Sequence, residues 1–262
     1  SEADKRDIEF AVKEDADYIA LSFVRSADDV RQAKNLVRKN GGDRIQLISK
    51  IENRQGVTNI EEILELSDGI MVARGDMGVE IPFEELPHIQ KNMIKQCYRA
   101  GKKVITATQM LESMIHNPRP TRAEISDVAN AIYDGTSAIM LSGETAAGKY
   151  PVETVKTMAK IAEETEKTIN YKKRFRDYDY KVVNITDAVS HSTCAAAFDL
   201  GAKAIITVSQ SGYTARKVSR FRPECVIIAA TTSHKAYNQL ALNWGVMPCM
   251  AEVQTTSDAL FT

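Results

Sequence analysis

The sequence offers little that would tie the chain to a membrane or a nucleic acid. Its 34 lysine and arginine residues nearly balance its 35 aspartate and glutamate residues, which gives a formal net charge of −1. No strong electrostatic field therefore exists to attract nucleic acid or an anionic membrane surface. No apolar run approaches the length of a bilayer span, and the first residues show no secretory signal pattern. We expect neither nucleic acid nor membrane among the partners.

Cysteine is also scarce, at four residues in 262. Cys97, Cys194, Cys225 and Cys249 are scattered and lack the paired spacing typical of metal sites. Buried free thiols are the simpler interpretation, and they favour a reducing, cytoplasmic location. The four histidines share no spacing, so the sequence assigns them no chemistry. Because the first residue is Ser1 rather than Met, we expect the chain to be part of something longer.

Short apolar runs alternate with amphipathic helical stretches along most of the chain. Five runs in the first part predict strands, at residues 18–23, 45–51, 69–73, 104–107 and 138–141. One of the intervening helices begins with Thr121 and Glu124 in capping-box spacing. Strands that alternate with helices favour a parallel sheet with crossover helices. Since polar, glycine-rich residues follow the strands, the five units resemble part of a (β/α)8 TIM-type barrel.

The pattern predicts two α/β domains. Residues 1–172 are expected to form the partial barrel, which five units cannot close. Residues 173–262 are expected to form a partial C-terminal α/β domain with a parallel sheet, whose strands are predicted at 204–208, 225–230 and 246–250. Between the two series, residues 170–180 are polar, aromatic and aperiodic, which predicts a linker or an edge segment.

Charged residues close two of the predicted strands. Lys50 and Glu52 are two residues apart and therefore point to the same side of their strand. Asp76 follows the next strand, between two glycines. Two carboxylates on adjacent strand ends suit a hard divalent cation, and a lysine beside them suits an anion that bridges to it. Taken singly, each acid is more simply a helix-start or turn residue, and Lys50 a solvated strand-end lysine; together they favour a metal site.

Two further strand exits contribute candidate ligand-binding groups. Residues 73–76 are expected to form a turn in which Gly75 lets the backbone approach a ligand closely. Thr108 follows its own predicted strand, so its hydroxyl would face the same pocket mouth. An equally simple interpretation is that Thr108 caps the next helix.

Five segments carry a resemblance to a known family. The segments at residues 48–53, 71–78, 107–114, 117–124 and 139–146 resemble pyruvate kinase and occur in that family's order and spacing. The resemblance implies phosphoryl transfer from phosphoenolpyruvate to ADP, giving pyruvate and ATP. It implies that Lys50 and Thr108 are catalytic. Substrate binding would fall to these two and to the turn after the third strand, namely Ala73, Arg74, Gly75 and Asp76.

The resemblance also implies cofactors and assembly. Glu52 and Asp76 match the family's ligands for Mg²⁺ (or Mn²⁺), and K⁺ is expected in the intact enzyme although its ligands match nothing in this chain. The family forms homo-oligomers, usually tetramers, so we expect a homo-oligomer. Around the site, Ser142 and Glu144 are expected to support it, and Arg25 is expected to face it without an assigned role. Arg119 and Arg122 are expected to form a charged helix start, paired across the fold or an interface.

A loop in the second domain is a candidate anion site. Hydroxyls and a glycine join a strand to a helix there, and a helix N-terminus attracts phosphate. Many pyruvate kinases bind a sugar-phosphate effector at this place. The residues concerned are Ser209, Ser211, Gly212 and Thr214, with Gln210 and Tyr213 where some relatives have basic residues.

Two other functions compete with this assignment. A metal-dependent lyase that acts on pyruvate enolates would share two acids on neighbouring strands of a related barrel. Alternatively, the chain is a non-catalytic fragment that assembles with a partner or binds an effector. Compared with the family, the first three barrel strands and the lid domain are missing, so we expect the chain alone to have no appreciable turnover.

Overall fold

A computed structural model describes residues 2–177, 180 and 182–252. The chain separates into two compact units, Ser1–Ile169 and Asn170–Thr262. In the described part of the chain, no helix is long and apolar enough to cross a bilayer.

The first unit is built on a five-stranded parallel sheet whose strands follow one another in chain order. Its strands are β1 (Tyr18–Leu21), β2 (Gln46–Ile51), β3 (Gly69–Ala73), β4 (Lys103–Ala107) and β5 (Ala138–Met140). Its helices are α1 (Glu2–Lys13), α2 (Ala27–Lys39), α3 (Arg54–Thr58), α4 (Ile60–Leu66), α5 (Arg74–Glu80), α6 (Leu86–Ala100), α7 (Arg122–Asp134), α8 (Gly143–Ala146) and α9 (Pro151–Glu166). This alternation confirms the predicted parallel α/β architecture of five units.

Local sequence signals set several of the helix ends. The Thr121 hydroxyl accepts a hydrogen bond from the Glu124 N–H while the Glu124 carboxylate accepts one from the Thr121 N–H, which confirms the predicted capping box of α7. Ser26 and Asp29 form the same motif at α2. At its other end α7 stops at Gly135, whose φ of 96° is readily adopted only by glycine. These signals fix where α7 begins and ends.

The two faces of the sheet have different roles. One face packs against the helices through fully buried side chains such as Ile51, Val72 and Val104. The other face carries Lys50 and Met71, which are directly opposite one another on β2 and β3. On a parallel sheet the carboxyl ends of all strands lie at one edge, so the residues that follow β2, β3 and β4 are neighbours there.

The second unit has a three-stranded parallel sheet, in the order β6 (Ala204–Val208), β7 (Val226–Thr231) and β8 (Val246–Met250). Its helices are α10 (Tyr171–Asp177), α11 (Ile185–Leu200), α12 (Tyr213–Ser219) and α13 (His234–Leu240). The core holds fully buried Phe221, Ile227 and Leu240. All three predicted strands are present, which confirms a parallel α/β arrangement here as well.

One segment does not match its prediction. Residues 170–180 were predicted as a linker or edge segment, and this is wrong because they contain the helix α10. Tyr171 and Phe175 are four residues apart and so lie on one face of that helix. The Tyr171 ring lies 6.4 Å from Trp244, and the Phe175 ring stacks on His191 at 4.8 Å. Tertiary packing therefore stabilises a helix too short to persist alone.

A buried ion pair cluster ties α11 to α12. The Asp187 side chain has no exposed surface, and its carboxylate lies 2.8 Å from the Lys217 ammonium and 3.2 Å from the Arg220 guanidinium. Burial by itself would raise the pKa of Asp187. The hydrogen bond and charge of Lys217, the Val183 N–H and the charge of Arg220 outweigh burial and lower that pKa below its usual value.

We expect Asp187 to make the second unit sensitive to acid. Because its pKa is lower in the folded state, its stabilisation is complete above the unfolded-state pKa of about 4 and is lost as the pH falls through the folded-state value. Asp187→Asn should destabilise the unit by about 3 kcal/mol at pH 7, since Lys217 and Arg220 lose their charged partner, and should flatten this pH dependence. Denaturant unfolding followed by fluorescence of Trp244, the one tryptophan in the chain, measures both.

Asp199→Asn is the matched control, because Asp199 is exposed on the same helix. Equal stability losses for the two variants would contradict the role assigned to Asp187.

Candidate active site

The exit of β2 brings a cation and a buried carboxylate together. The Lys50 ammonium lies 2.6 Å from Oε1 of Glu52, which confirms that the two side chains point to the same side. Lys50 also donates a hydrogen bond to the Ser22 hydroxyl at 3.1 Å. Glu52 is 2% exposed while Lys50 keeps about a quarter of its side chain exposed. The pair therefore exposes the positive charge of Lys50 to solvent and buries the negative charge of Glu52.

The second oxygen of Glu52 is held by the neighbouring strand exit. The Phe23 N–H donates a hydrogen bond to Oε2, and Phe23 has a left-handed φ of 54°. Oε1 is also buried, and its partner among the described residues is the Lys50 ammonium. A buried carboxylate oxygen is costly without a cation beside it, and Lys50 is that cation here.

The exit of β3 differs in detail from its prediction. Residues 73–76 were expected to form a turn, but α5 begins at Arg74, directly after the strand, with Ala73 as its N-cap. The prediction of a turn was therefore wrong. The first N–H groups of a helix have no partners within it, so this arrangement still aims backbone donors at the sheet edge. Asp76 lies in the first turn of α5 with an exposed side chain.

Thr108 follows β4 in an unusual backbone conformation. Its φ is 68° and that of Gln109 is 54°, a left-handed pair that is uncommon for any residue and rare for a β-branched one. Its hydroxyl donates to the Ala107 carbonyl at 2.6 Å and accepts from the Gly75 N–H at 2.8 Å. The Thr108 hydroxyl therefore does not cap the helix that follows it in the chain, but it accepts from the first turn of α5. The hydroxyl instead joins the β3 and β4 exits.

The Arg74 side chain is committed to the protein. Its guanidinium donates to the carbonyls of Ala107 and Thr108 and to both carboxylate oxygens of Asp127, at 2.8 and 2.6 Å. Only 12% of the side chain is exposed. Whatever Arg74 contributes to a ligand must therefore come from its backbone. Asp127, which the sequence analysis did not single out, is the carboxylate that holds it.

The donor set fits a small hard cation. Glu52 supplies a buried carboxylate whose Oε1 faces the Lys50 ammonium, and Asp76 supplies an exposed carboxylate for which no hydrogen bond or ion pair is found among the described residues. Mg²⁺ commonly takes one or two carboxylates and fills its remaining positions with water and substrate oxygens. Within the described ranges there is no group of three or more histidine, cysteine, aspartate or glutamate residues that could hold a metal.

Glu144 is a buried carboxylate between two strand exits. Its side chain is fully buried and accepts hydrogen bonds from the Leu111 N–H at 3.1 Å and the Ser142 N–H at 2.8 Å. It therefore links the segment after β4 to the segment after β5, and its support of the site stays a prediction. Arg119 and Arg122 form the expected charged start of α7, but in the described part of the chain neither has a hydrogen bond or an ion pair.

The candidate anion loop lies in the second unit. Gly212, with a φ of 70°, is the N-cap of α12, and Thr214 lies in the first turn of that helix. The Arg216 guanidinium donates to the Ser211 carbonyl at 2.9 Å, and the Thr231 hydroxyl donates to the Gln210 carbonyl at 3.0 Å. Hydrogen bonds from the Arg216 and Thr231 side chains therefore hold the backbone of the loop. Ser209 follows β6 and donates its N–H to the Ala230 carbonyl.

Comparisons with known proteins agree with this architecture. Residues 1–155 match the family model described as "Pyruvate kinase, barrel domain", and residues 187–262 match "Pyruvate kinase, alpha/beta domain". The chain is 54% identical to a pyruvate kinase of Clostridium acetobutylicum over 263 residues, covering 100% of this chain and 56% of that protein. It is 52% identical to a pyruvate kinase of Sporosarcina psychrophila, covering 99% of this chain and 44% of that protein. It is 51% identical to a pyruvate kinase of Bacillus licheniformis, covering 99% of this chain and 45% of that protein.

A parallel-strand barrel unit followed by an α/β unit is thus the architecture that the matched relatives share with this chain. The chain belongs to the pyruvate kinase family. It spans about half the length of the curated relatives that it matches.

Removing the buried carboxylate of Glu144 should loosen the first unit. Glu144→Ala leaves the Leu111 and Ser142 N–H groups buried without an acceptor, which costs about 2–4 kcal/mol for two donors. Glu153→Ala, on the exposed face of α9, should change stability by less than about 0.5 kcal/mol. Circular dichroism during denaturant unfolding measures both, and indistinguishable midpoints would contradict the supporting role.

Proposed function

We propose that this chain carries the catalytic core of a pyruvate kinase, which transfers the phosphoryl group of phosphoenolpyruvate to ADP. In that reaction the bond between phosphorus and the enol oxygen breaks and a bond to a terminal oxygen of ADP forms. The enolate left behind takes a proton to become pyruvate. The observation that supports the proposal is the Lys50–Glu52 pair at the exit of β2, beside the linked exits of β3 and β4.

Lys50 is the group that meets the transferring phosphoryl. Phosphoryl transfer depends mostly on positioning and on neutralising charge. The ammonium is anchored by Glu52 and the Ser22 hydroxyl, yet it remains partly exposed. A compact, rotatable cation in this place stabilises negative charge on the phosphoryl oxygens and on the departing enolate oxygen.

The start of α5 and Thr108 bind the substrate carboxylate. Backbone N–H groups at a helix start favour an anion, and we assign this role to the segment of Ala73, Arg74, Gly75 and Asp76. The Gly75 N–H donates to the Thr108 hydroxyl and would have to leave it to reach the substrate. The Thr108 hydroxyl already donates to the Ala107 carbonyl, so its role is orientation, and its remaining lone pair is open to a substrate or water proton.

Glu52 and Asp76 would hold Mg²⁺ or Mn²⁺. When bound, such an ion neutralises charge on the phosphoryl and enolate oxygens and orients them for in-line transfer. The protein's part is to keep one carboxylate buried and oriented and the other exposed at the adjacent strand exit. The lyase alternative shares this donor set, but both domains match pyruvate kinase models, which favours the kinase.

Regulation, assembly and location extend the proposal. The loop with Ser209, Ser211, Gly212 and Thr214 would bind the phosphate of a sugar-phosphate effector, with the α12 start as its donor group. Homo-oligomerisation and a cytoplasmic location also remain predictions. Calorimetry with a sugar bisphosphate and light scattering of the purified chain test the first two.

Divalent cation binding tests the metal site directly. Glu52→Gln and Asp76→Asn should each weaken Mn²⁺ binding by at least tenfold, because each removes one of two carboxylate ligands. Glu84→Gln makes the same charge change at an exposed residue nearby and should leave the affinity unchanged. Electron paramagnetic resonance of free Mn²⁺ measures the affinity, and equal affinities for all the variants would count against the site.

Turnover tests the proposed reaction. In a lactate-dehydrogenase-coupled assay the purified chain alone should show no appreciable rate. Placed in the Clostridium acetobutylicum enzyme in exchange for the matching segment, it should support turnover that falls on the order of 10²–10³-fold in Lys50→Met. Lys156→Met, exposed on α9, is the control. A Lys50→Met enzyme with an undiminished kcat would refute the assignment.

A further inference from the structure

We propose that Asp127 is a positioning residue, which acts through Arg74 to hold the backbone of Thr108 in its left-handed conformation. The inference deepens the proposed function, on which its catalytic meaning rests, because Thr108 is one of the two catalytic candidates. Asp127 belongs to α7. Among the candidate site residues, it contacts Arg74.

The backbone of Thr108 needs an external restraint. Left-handed backbone at two successive residues with side chains, Thr108 at 68° and Gln109 at 54°, is unfavourable and persists only where the surroundings impose it. Among the described residues, the Thr108 carbonyl accepts from two nitrogens of one guanidinium, Nη2 at 2.5 Å and Nε at 3.2 Å. Arg74 is therefore a principal restraint on this peptide.

Arg74 is itself held in place by Asp127. Nη1 of Arg74 donates to both Asp127 oxygens at 2.8 and 2.6 Å, while its contact with the Gln90 amide oxygen is longer, at 3.4 Å. The guanidinium is 12% exposed and the carboxylate about a third exposed, so solvent only partly screens the pair. Without the carboxylate, a largely buried cation would have neutral partners only, and it would move toward water.

The helix α7 is a rigid support for Asp127. The capping box at Thr121 starts the helix, and Glu124 additionally accepts hydrogen bonds from the Ser113 N–H and hydroxyl, both at 2.6 Å. Asp127 lies less than one turn beyond Glu124. A shift of α7 would therefore be transmitted to Arg74 and from there to Thr108.

The chain contains a matched control on the same helix. Asp134 of α7 pairs with Lys91 of α6 at 2.8 Å, and this pair contacts neither Arg74 nor Thr108. If Asp127 only docked α7, then loss of the Asp134 pair would have similar consequences at Thr108. If Asp127 positions Thr108, the two losses differ.

The Gly75 amide is the reporter. Gly75 is the second residue of α5, so its N–H has no partner inside the helix and donates to the Thr108 hydroxyl at 2.8 Å. Its hydrogen exchange, measured by NMR on the 262-residue chain, reports whether Thr108 is in place. The ¹³Cα and ¹³Cβ shifts of Thr108 and Gln109 report their backbone conformation independently.

Asp127→Ala should lower the protection of the Gly75 amide at least tenfold and shift the Thr108 and Gln109 carbons, while the amides of β3 keep their protection. Asp127→Asn keeps an acceptor without the charge and should give an intermediate loss. Arg74→Ala should reproduce the Asp127→Ala effect, and the double variant should add little to it, since both act through one contact. Asp134→Ala should leave Gly75 protected.

Unchanged Gly75 protection in Asp127→Ala would overturn the proposal, and so would an equal loss in Asp134→Ala. Should Asp127→Ala fail to fold, the same comparison is made with Asp127→Asn, for which parental Gly75 protection is the overturning result. None of these measurements requires turnover or a bound metal. A failure of the proposed function, seen in the Glu52 and Asp76 variants, is therefore distinguishable from a failure of this inference.

Discussion

The parallel register of β2, β3 and β4 is the constraint on which the candidate site depends. Because Lys50 lies opposite Met71 and Ala73 lies opposite Ala107, the residues that follow these strands share one edge of the sheet. Gly69 is part of the same constraint. A Cβ there would lie 2.7 Å from the Ile48 side chain and 3.0 Å from the Lys103 carbonyl, so a larger residue would crowd both neighbouring strands. The chemistry at the strand exits is thus set by close packing several residues before them.

Much of this fold could be predicted because its signals are local. Apolar runs bounded by polar residues identified all eight strands, and the Thr121 and Glu124 spacing identified the start of α7. The same-side placement of Lys50 and Glu52 follows from strand geometry alone. The helix α10 was missed because its stability comes from aromatic contacts with residues far along the chain, which no local pattern contains.

The details of the site were less accessible. The left-handed conformation of Thr108 is imposed by Arg74, 34 positions earlier, and by the packing of α7. Nothing in the residues around Thr108 indicates it. The arginine itself was predicted to bind substrate, whereas its side chain is used to hold the protein backbone. Asp127 had no signal at all, since an acid in the middle of a helix is usually a solvated surface residue.

The outermost strands, β1 and β5, have consequences for how the chain behaves in solution. Each is hydrogen-bonded on one side only in the described part of the chain, and such a strand is a template for pairing with another polypeptide. A net charge of −1 and a pI near 6.4 provide little electrostatic repulsion against that pairing close to neutral pH. Colloidal stability should therefore improve as the buffer is made more alkaline and the acidic excess grows.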